Sequence, residues 1–352
     1  MPYEEIFSLS IEGDFFIYAP LAGSILSVNE DAVNYLSFVK THPEINILEL
    51  CEGAKEFQQS INLLEKESKA KKIILGQQVD QEFHPTSIII LPTYNCNLKC
   101  VYCYASSGDI SIGDLDFRIA RAAVDFIINN AINQNRKDIH VTFLGGGEPT
   151  TAWNLLNQIV NYSNELTKRN RIHSTNSIVT NGVLSSEKME WLAQNMNHIQ
   201  ISFDGLPEIQ DLQRPFPNGT NSSEAVLRSI AYFNHENMNF DLHAVITSRS
   251  MTKMKDLVDF VYQNTNRKEV SVEPLAYCGR CITNNWDEPD PEEFSQNYID
   301  AWIYGTKKGI KITSSLARFD RISNYFCGAS SGNFVLTPQG LVTSCNEVTR
   351  ID

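Results

Sequence analysis

The sequence lacks the basic excess, the secretory signal and the long apolar runs that would direct a chain to nucleic acid or membranes. Its 29 basic residues are outnumbered by 42 acidic ones, a formal net charge of −13, which disfavours a surface built to neutralise phosphates or anionic lipid. The opening residues MPYEEIFSLSIEGDFF contain no basic segment followed by an apolar core, and no later apolar run reaches membrane-spanning length. We therefore expect a cytoplasmic protein that binds neither nucleic acid nor membrane.

Cysteine is also scarce, with eight residues in 352, but three of them lie in the short stretch TYNCNLKCVYCYA. In a reducing compartment, clustered cysteines such as Cys96, Cys100 and Cys103 are more often metal ligands than disulfide partners. Structural zinc prefers four tetrahedral ligands, usually from two Cys-x-x-Cys pairs. Three thiolates can instead hold a four-iron cluster and leave one iron open to a ligand. The spacing favours the iron–sulfur cluster, with a zinc knuckle or structural thiols as alternatives.

Three regions of different pattern divide the chain. Residues 1–83 combine short β-like runs with two helical patterns, the first capped by Asn29, in the order of a small winged-helix module. Acidic residues outnumber basic ones there, opposite to a DNA-binding wing. Residues 84–310 alternate apolar strands with amphipathic helices through six strand–helix units, which predicts an α/β fold, a partial (β/α)6 TIM-like barrel. Residues 311–352 predict a β-hairpin that turns at TPQG between Cys327 and Cys345.

Polar motifs follow the first four predicted barrel strands. The cysteine loop follows the first, GGGEP the second, VTNG the third and ISFDG the fourth. Chemistry in a parallel barrel concentrates at the carboxyl ends of strands, although each motif alone could be a turn or loop cap. The candidate binding residues are Gly145, Gly146, Gly147, Glu148, Thr180, Asn181, Ser202 and Asp204, together with Arg214 in QDLQRPFPNG. A surface salt bridge is the alternative role for Arg214.

The Cys-x3-Cys-x2-Cys loop, with Tyr102 before its last cysteine and the motifs at the next strand ends, resembles the radical S-adenosylmethionine (radical SAM) enzymes. The resemblance implies a 4Fe-4S cluster on Cys96, Cys100 and Cys103, with Tyr102 beside the cofactor. The open iron would chelate the amino and carboxylate groups of S-adenosylmethionine. One electron, from a donor such as flavodoxin or ferredoxin, would cleave the cofactor to a 5′-deoxyadenosyl radical, which takes a hydrogen atom from the substrate.

The same resemblance assigns contacts to the motif residues. The glycines of GGGEP would let the backbone approach the methionine moiety, and Glu148 would accept a hydrogen bond from its ammonium group. Thr180 and Asn181 are expected near the ribose, and Ser202 near the ribose or the carboxylate. Asp204 is expected to contribute to the same cofactor site.

Arg214 matches an arginine that often follows the DG dipeptide in the peptide-modifying branch of the family. Its guanidinium could clamp a carboxylate through two hydrogen bonds. The resemblance therefore places Arg214 among the cofactor-binding residues.

The end of the chain resembles the first part of the SPASM motif, which holds auxiliary iron–sulfur clusters in radical SAM peptide modifiers. Cys327, Gly340 and Cys345 fit that part, and the later cysteines of the motif are missing. We expect either a chain truncated within this motif or a site completed otherwise. Cys278 and Cys281 would then supply the other two ligands, with ordinary thiols near the barrel rim as the alternative.

The N-terminal layout resembles the RiPP recognition element, a winged-helix domain that binds the leader of a ribosomal precursor peptide by strand addition. Its lone Cys51 is expected to be structural. Together the resemblances imply a radical SAM/SPASM peptide maturase that forms a thioether, carbon–carbon or ether crosslink. The alternatives are an anaerobic sulfatase-maturing type of enzyme, which produces formylglycine, and a non-catalytic peptide-binding protein that contains zinc or electron-transfer clusters.

Overall fold

The structure is a computed structural model of the chain. It describes residues 5–11, 13–42, 54–76, 83–109, 112–317, 327–330 and 333–348. The chain divides into two compact units, one from residues 1–82 and 317–326 and the other from residues 83–316 and 327–352. Cys51, expected to be a structural thiol, lies outside the described residues.

The first unit contains a small antiparallel sheet followed by two helices. Its strands are β1 (Phe7–Ile11), β2 (Asp14–Ala19) and β3 (Ser24–Val28), and its helices are α1 (Glu30–Thr41) and α2 (Ala54–Gly76). The strand order is β1-β2-β3, so β1 and β3 are the edges of the described sheet. Helix α1 begins after Asn29, whose side chain accepts a hydrogen bond from the Ala32 N–H. Ile17, Leu36 and Ile61 are buried in one core, which joins the strands to both helices.

Nine of the described strands form one sheet in the second unit. Its strands are β4 (Ser87–Ile90), β5 (Asp138–Phe143), β6 (His173–Thr180), β7 (His198–Ser202), β8 (Phe240–Ile246), β9 (Glu269–Pro274), β10 (Lys311–Thr313), β11 (Val335–Leu336) and β12 (Val342–Thr343). The strand order is β10-β9-β8-β7-β6-β5-β4-β11-β12, and neighbouring pairs of these described strands are parallel except β11 and β12. Strands β4 to β9 are the six predicted barrel strands, so the predicted α/β fold with a parallel sheet is confirmed.

Helices connect these strands. They are α3 (Phe117–Asn133), α4 (Trp153–Asn170), α5 (Ser186–Asn195), α6 (Pro207–Gln213), α7 (Ser223–His235), α8 (Met254–Asn264), α9 (Arg280–Thr283) and α10 (Pro291–Lys308). Six of these described helices match the predicted helical patterns, whereas the short α6 and α9 were not predicted. In α3 the residues Ala120, Val124 and Ile127 are fully buried, and the helix contacts β4 and β5. A buried aliphatic side chain contributes about 1.5–3 kcal/mol relative to an exposed one. This repeated stripe therefore fixes α3 on the sheet.

The C-terminal hairpin joins the barrel sheet. The Gly340 N–H donates to the Thr337 carbonyl at 2.9 Å, which confirms the predicted turn at TPQG. Strand β11 pairs in parallel with β4, so the hairpin lies beside the strand that leads into the cysteine loop. The sequence did not predict this placement, because a strand of two residues has no hydrophobic period.

Parallel pairing brings the predicted motifs to one edge of the sheet. The cysteine loop, GGGEP, VTNG and ISFDG follow β4, β5, β6 and β7, which are neighbours in that order. Loops at the carboxyl ends of neighbouring parallel strands lie side by side. In the described part of the chain, no helix has the length and apolar character needed to cross a membrane.

Candidate active site

A cavity of about 530 Å³ lies at the carboxyl ends of the barrel strands. It collects most of the residues predicted from the motifs. Those that line it are Cys96, Cys100, Tyr102, Cys103, Gly145, Gly146, Gly147, Glu148, Thr180, Asn181, Ser202, Arg214 and Cys278. Asp204 is buried behind this lining, whereas Cys281, Cys327 and Cys345 do not belong to it among the described residues.

Two of the three clustered thiols, those of Cys96 and Cys103, accept hydrogen bonds from backbone and amide donors. The Leu98 N–H lies 3.4 Å from the Cys96 sulfur, and the Asn181 side-chain amide approaches the same sulfur at 3.8 Å. The Ser107 N–H lies 3.4 Å from the Cys103 sulfur. Hydrogen bonds to cysteine sulfur tune the potential of iron–sulfur sites and fix their geometry.

Burial opposes the ionisation of two of these thiols. Desolvation raises the pKa of Cys96 to about 12 and the pKa of Cys100 to about 11, so both thiols are protonated at neutral pH. A coordinated metal reverses this preference, because a coordinating thiol is deprotonated outright. Burial therefore disfavours a free thiolate at Cys96 and at Cys100.

The arrangement suits a cluster better than a single ion. Among the described residues, no group of three or more His, Cys, Asp or Glu side chains is placed to hold one metal ion. Cys96, Cys100 and Cys103 line one cavity. A structural zinc ion requires four ligands around one point, whereas a four-iron cluster offers a separate iron to each of three cysteines. The donor set of this loop therefore fits an iron–sulfur cluster.

The glycine turn packs directly on the cysteine loop. The Gly147 N–H donates to the Thr93 carbonyl at 2.9 Å, and the Glu148 N–H donates to the Asn95 carbonyl at 2.8 Å. A Cβ on Gly147 would lie 2.1 Å from the Asn95 oxygen. The close approach of two backbones, rather than a turn alone, is what requires glycine here.

We expect Gly147→Ala to destabilise the second unit, because the methyl group would overlap a backbone oxygen. Overpacking of this kind costs about 1–3 kcal/mol or more. Thermal melting of the apoprotein would measure the loss. Gly113→Ala is the matched control, since a Cβ there meets nothing within 4 Å. Equal melting temperatures for the two variants would contradict the packing argument.

Glu148 is fixed by the motif that follows the next strand. Its Oε1 accepts hydrogen bonds from the Thr150 N–H at 3.1 Å and from the Thr180 hydroxyl at 2.9 Å. Its Oε2 accepts from the Asn181 N–H at 2.7 Å. Burial raises the pKa of Glu148, and these donors oppose that rise. Thr180 thus holds the carboxylate, and Oε2 retains acceptor capacity for an ammonium group.

Asp204 accepts four hydrogen bonds in the interior instead of facing the cavity. Its donors are Arg214 Nη2 at 2.9 Å, the Tyr102 hydroxyl at 2.5 Å, Gln213 Nε2 at 2.7 Å and the Val245 N–H at 3.0 Å. The Asp204 side chain is fully buried and that of Arg214 is 8% exposed. The ion pair is therefore internal, and the alternative of a surface salt bridge for Arg214 is wrong.

Titratable residues on β8 and β9 also line the cavity, although no sequence motif marks them. His243 on β8 and Glu273 on β9 line it. A ring nitrogen of His243, Nδ1, lies 2.8 Å from the Ser271 hydroxyl, and desolvation lowers the pKa of His243. Glu273 accepts hydrogen bonds from the Ser315 N–H and hydroxyl, each at 2.6 Å. Both occupy the inward positions of strands with period two, which is the signal that could have identified them.

The four cysteines considered for an auxiliary cluster have different surroundings. Cys281 is fully buried, and its sulfur donates to the Cys278 carbonyl at 2.9 Å. The Cys278 side chain is exposed and lines the cavity. Cys327 is exposed and Cys345 is half-buried in the region of the hairpin. An auxiliary cluster on these residues stays a prediction.

The cysteine loop and the strands behind these motifs match one protein family. Residues 90–261 match the model of the radical SAM superfamily. These residues form a radical SAM domain. The superfamily implies a 4Fe-4S cluster with S-adenosylmethionine, and the thiol set and the Glu148 carboxylate described above fit that pair.

The radical SAM domain has relatives that modify peptides and proteins. The radical SAM cyclopropyl synthase TigE of Paramaledivibacter caminithermalis is 25% identical over 300 residues, which are 79% of this chain and 59% of TigE. The cysteine-type anaerobic sulfatase-maturating enzyme of Clostridium perfringens is 25% identical over 288 residues, 74% of each chain. For the first curated relatives that it matches, TigE among them, the chain spans less than two thirds of the relative's length.

A solved structure shares the fold over nearly the whole chain. Streptococcus suis SuiB bound to the precursor peptide SuiA superimposes with a TM-score of 0.56, over 98% of this chain and 83% of SuiB. The sequences are 17% identical, so this likeness concerns the fold alone.

Proposed function

We propose that the protein is a radical SAM peptide maturase that binds a ribosomal precursor peptide and forms a crosslink in its core. The observation that carries the proposal is the cavity at the strand ends. It brings three cysteines, the glycine turn and Glu148 together around a volume of about 530 Å³. A non-catalytic peptide-binding protein would have no use for this combination.

Different residues of the cavity would bind the cluster and the cofactor. Cys96, Cys100 and Cys103 would hold the cluster, and Glu148 would hold the amino group of S-adenosylmethionine. When bound, the cluster and its cofactor supply one-electron cleavage to a radical that abstracts hydrogen. The protein's own contribution is to position the substrate and to exclude water and oxygen from the cavity. The predicted donor of the electron is a flavodoxin or ferredoxin, and an auxiliary cluster would accept the electron left after crosslinking.

Peptide capture is assigned to the first unit. Its described three-stranded sheet ends in two edge strands, β1 and β3, and an exposed edge can pair with an added strand of a leader peptide. The likeness to SuiB, whose structure contains a precursor peptide, supports this assignment. The proposed substrate is therefore a leader-bearing ribosomal peptide.

A sulfatase-maturing activity is the second candidate. The Clostridium perfringens relative supports it, because its similarity covers 74% of both chains. This activity would convert one cysteine or serine of a protein to formylglycine. The two candidates differ in product, since a crosslink leaves no aldehyde.

Incubation with a candidate precursor tests the activity directly. We expect the anaerobically reconstituted protein, with dithionite and S-adenosylmethionine, to form 5′-deoxyadenosine and a peptide lighter by two hydrogens. Mass spectrometry of a short peptide encoded beside this gene would detect the loss. Omission of dithionite is the control. A peptide that reacts with a hydrazide probe would indicate formylglycine instead, and no cleavage of S-adenosylmethionine would refute both candidates.

Removal of residues 1–83 tests the recognition role separately. We expect the shortened chain to bind the labelled precursor more weakly than the full chain in fluorescence anisotropy, because the edge strands are gone. Cleavage of S-adenosylmethionine without peptide should persist, since the predicted cluster ligands lie elsewhere. Equal peptide affinity of the two chains would contradict leader capture by this unit.

A further inference from the structure

The loop after β9 packs on the cysteine loop at backbone distance. The Arg280 N–H donates to the Cys103 carbonyl at 2.9 Å. Gly279 has φ +58°, and a Cβ there would lie 2.4 Å from the carbonyl oxygens of Cys103 and Tyr104. Glycine is therefore required both for its backbone conformation and for this close contact. The CGRC sequence is thus in direct contact with a candidate cluster ligand.

The Arg280 side chain ties together distant positions of the cysteine loop. Its Nη1 donates to the Cys100 carbonyl at 2.8 Å, and its Nη2 donates to the Ser107 carbonyl at 2.5 Å. Its Nη2 and Nε also donate to Asp109 Oδ2 at 2.9 and 3.2 Å. The rigid planar fork of arginine makes such a set of bonds, which lysine cannot reproduce. Arg280 therefore fixes the second half of the loop, from Cys100 to Asp109.

Arg280 is much more deeply buried than Asp109, the carboxylate with which it forms an ion pair. The Arg280 side chain is 6% exposed, whereas Asp109 is 41% exposed. Solvent screens an exposed charge more strongly than a buried one. The cysteine loop therefore experiences the positive charge more than the negative one.

Cys281 anchors this loop from within. Its fully buried sulfur donates to the Cys278 carbonyl and accepts from the Cys278 N–H at 3.0 Å. Cys281 also shares a small apolar cluster with Tyr102, Leu275 and Trp286. A thiol engaged in this way supports the packing of its own loop and of Tyr102.

We propose that the segment from Cys278 to Cys281 supports the cluster predicted on the three cysteines of the cysteine loop, called here the first cluster. Arg280 is the positioning residue: it orders the cysteine loop and supplies a buried cation beside it. The proposal rests on the cluster site of the proposed function, but not on the peptide substrate. A cluster on three thiolates becomes more negative on reduction, and nearby positive charge favours the reduced state. Arg280 thus raises the reduction potential.

The test compares full-length chains reconstituted anaerobically without peptide. We expect Arg280→Gln to shift the potential of the cluster to a more negative value and to change the electron paramagnetic resonance spectrum of the reduced protein. Lys99→Gln is the matched control, because Lys99 also pairs with Asp109 but is 39% exposed and does not clamp the loop carbonyls. Its potential and spectrum should remain those of the wild type.

Arg280→Lys separates charge from geometry and serves if the glutamine variant does not fold. We expect it to retain most of the wild-type potential but not the wild-type spectrum, because one ammonium cannot replace the fork. Wild-type potential and spectrum in every Arg280 variant obtained would overturn the proposal.

Cys281→Ala tests the other half of the assignment. It should keep the wild-type iron content, and loss of about four iron ions, one cluster's worth, would overturn the assignment of this segment to the first cluster. All these readouts are independent of peptide modification. A failure of the maturase proposal would therefore leave them interpretable.

Discussion

Replacing Cys100 with alanine is expected to reduce cleavage of S-adenosylmethionine to the rate without protein. Cys100 is the middle cysteine of the cysteine loop and lines the cavity. Its thiolate is one of the three proposed iron ligands. With two thiolates left, a four-iron cluster has two uncapped irons and loses its hold on the protein. The measurement is 5′-deoxyadenosine formed by the reconstituted protein under dithionite, quantified by chromatography.

The matched control is Cys278→Ala, which removes another thiol from the same cavity. Because Cys278 is not a ligand of the first cluster in this proposal, cleavage without peptide should remain near the wild-type rate. The visible iron–sulfur absorbance should fall by the share of one cluster in Cys100→Ala and stay at the wild-type level in the control. Full cleavage by Cys100→Ala, or zinc in place of iron after reconstitution, would contradict the cluster assignment.

Short motifs at strand ends could be predicted because the chemistry is local in sequence. Cys96, Cys100 and Cys103 lie within one loop, and GGGEP follows the neighbouring strand. The alternation of strands and helices then fixes which loops are neighbours. Pattern and motif together therefore predicted the parallel α/β fold and the part of the cavity lining that comes from the motifs after β4 to β7.

Partners set by tertiary contact could not be predicted in the same way. The sequence predicts Asp204 at the cofactor, but in the structure its carboxylate accepts four hydrogen bonds from segments distant in sequence or fold. The donors are Tyr102 in the cysteine loop, Gln213 in α6, Arg214 directly after α6 and Val245 in β8. Arg280 lies between two cysteines in a sequence that carries no motif for an arginine site, although it contacts residues more than 170 positions away. Sequence spacing carries no signal for bonds of this range.

The internal ion pair of Asp204 and Arg214 gives the second large expected effect. Asp204→Asn keeps the shape of the side chain but removes the charge that compensates Arg214. The NH2 group of the asparagine would also face some of the four N–H and O–H groups that now donate to the carboxylate, and two donors cannot form a hydrogen bond with each other. Breaking one side of a buried ion pair costs about 3–5 kcal/mol, and urea unfolding of the apoprotein's second unit would measure it.

Asp211→Asn is the matched control on α6, because Asp211 accepts bonds from the Ser223 N–H at 2.8 Å and the Ser223 hydroxyl at 2.9 Å without an arginine partner. Such bonds contribute about 0.5–1.5 kcal/mol each, so its loss should be smaller. The double variant Asp204→Asn, Arg214→Met should recover part of the stability, since no buried charge is then left unpaired. An Asp204→Asn loss no larger than that of Asp211→Asn would show that Arg214 does not depend on this carboxylate.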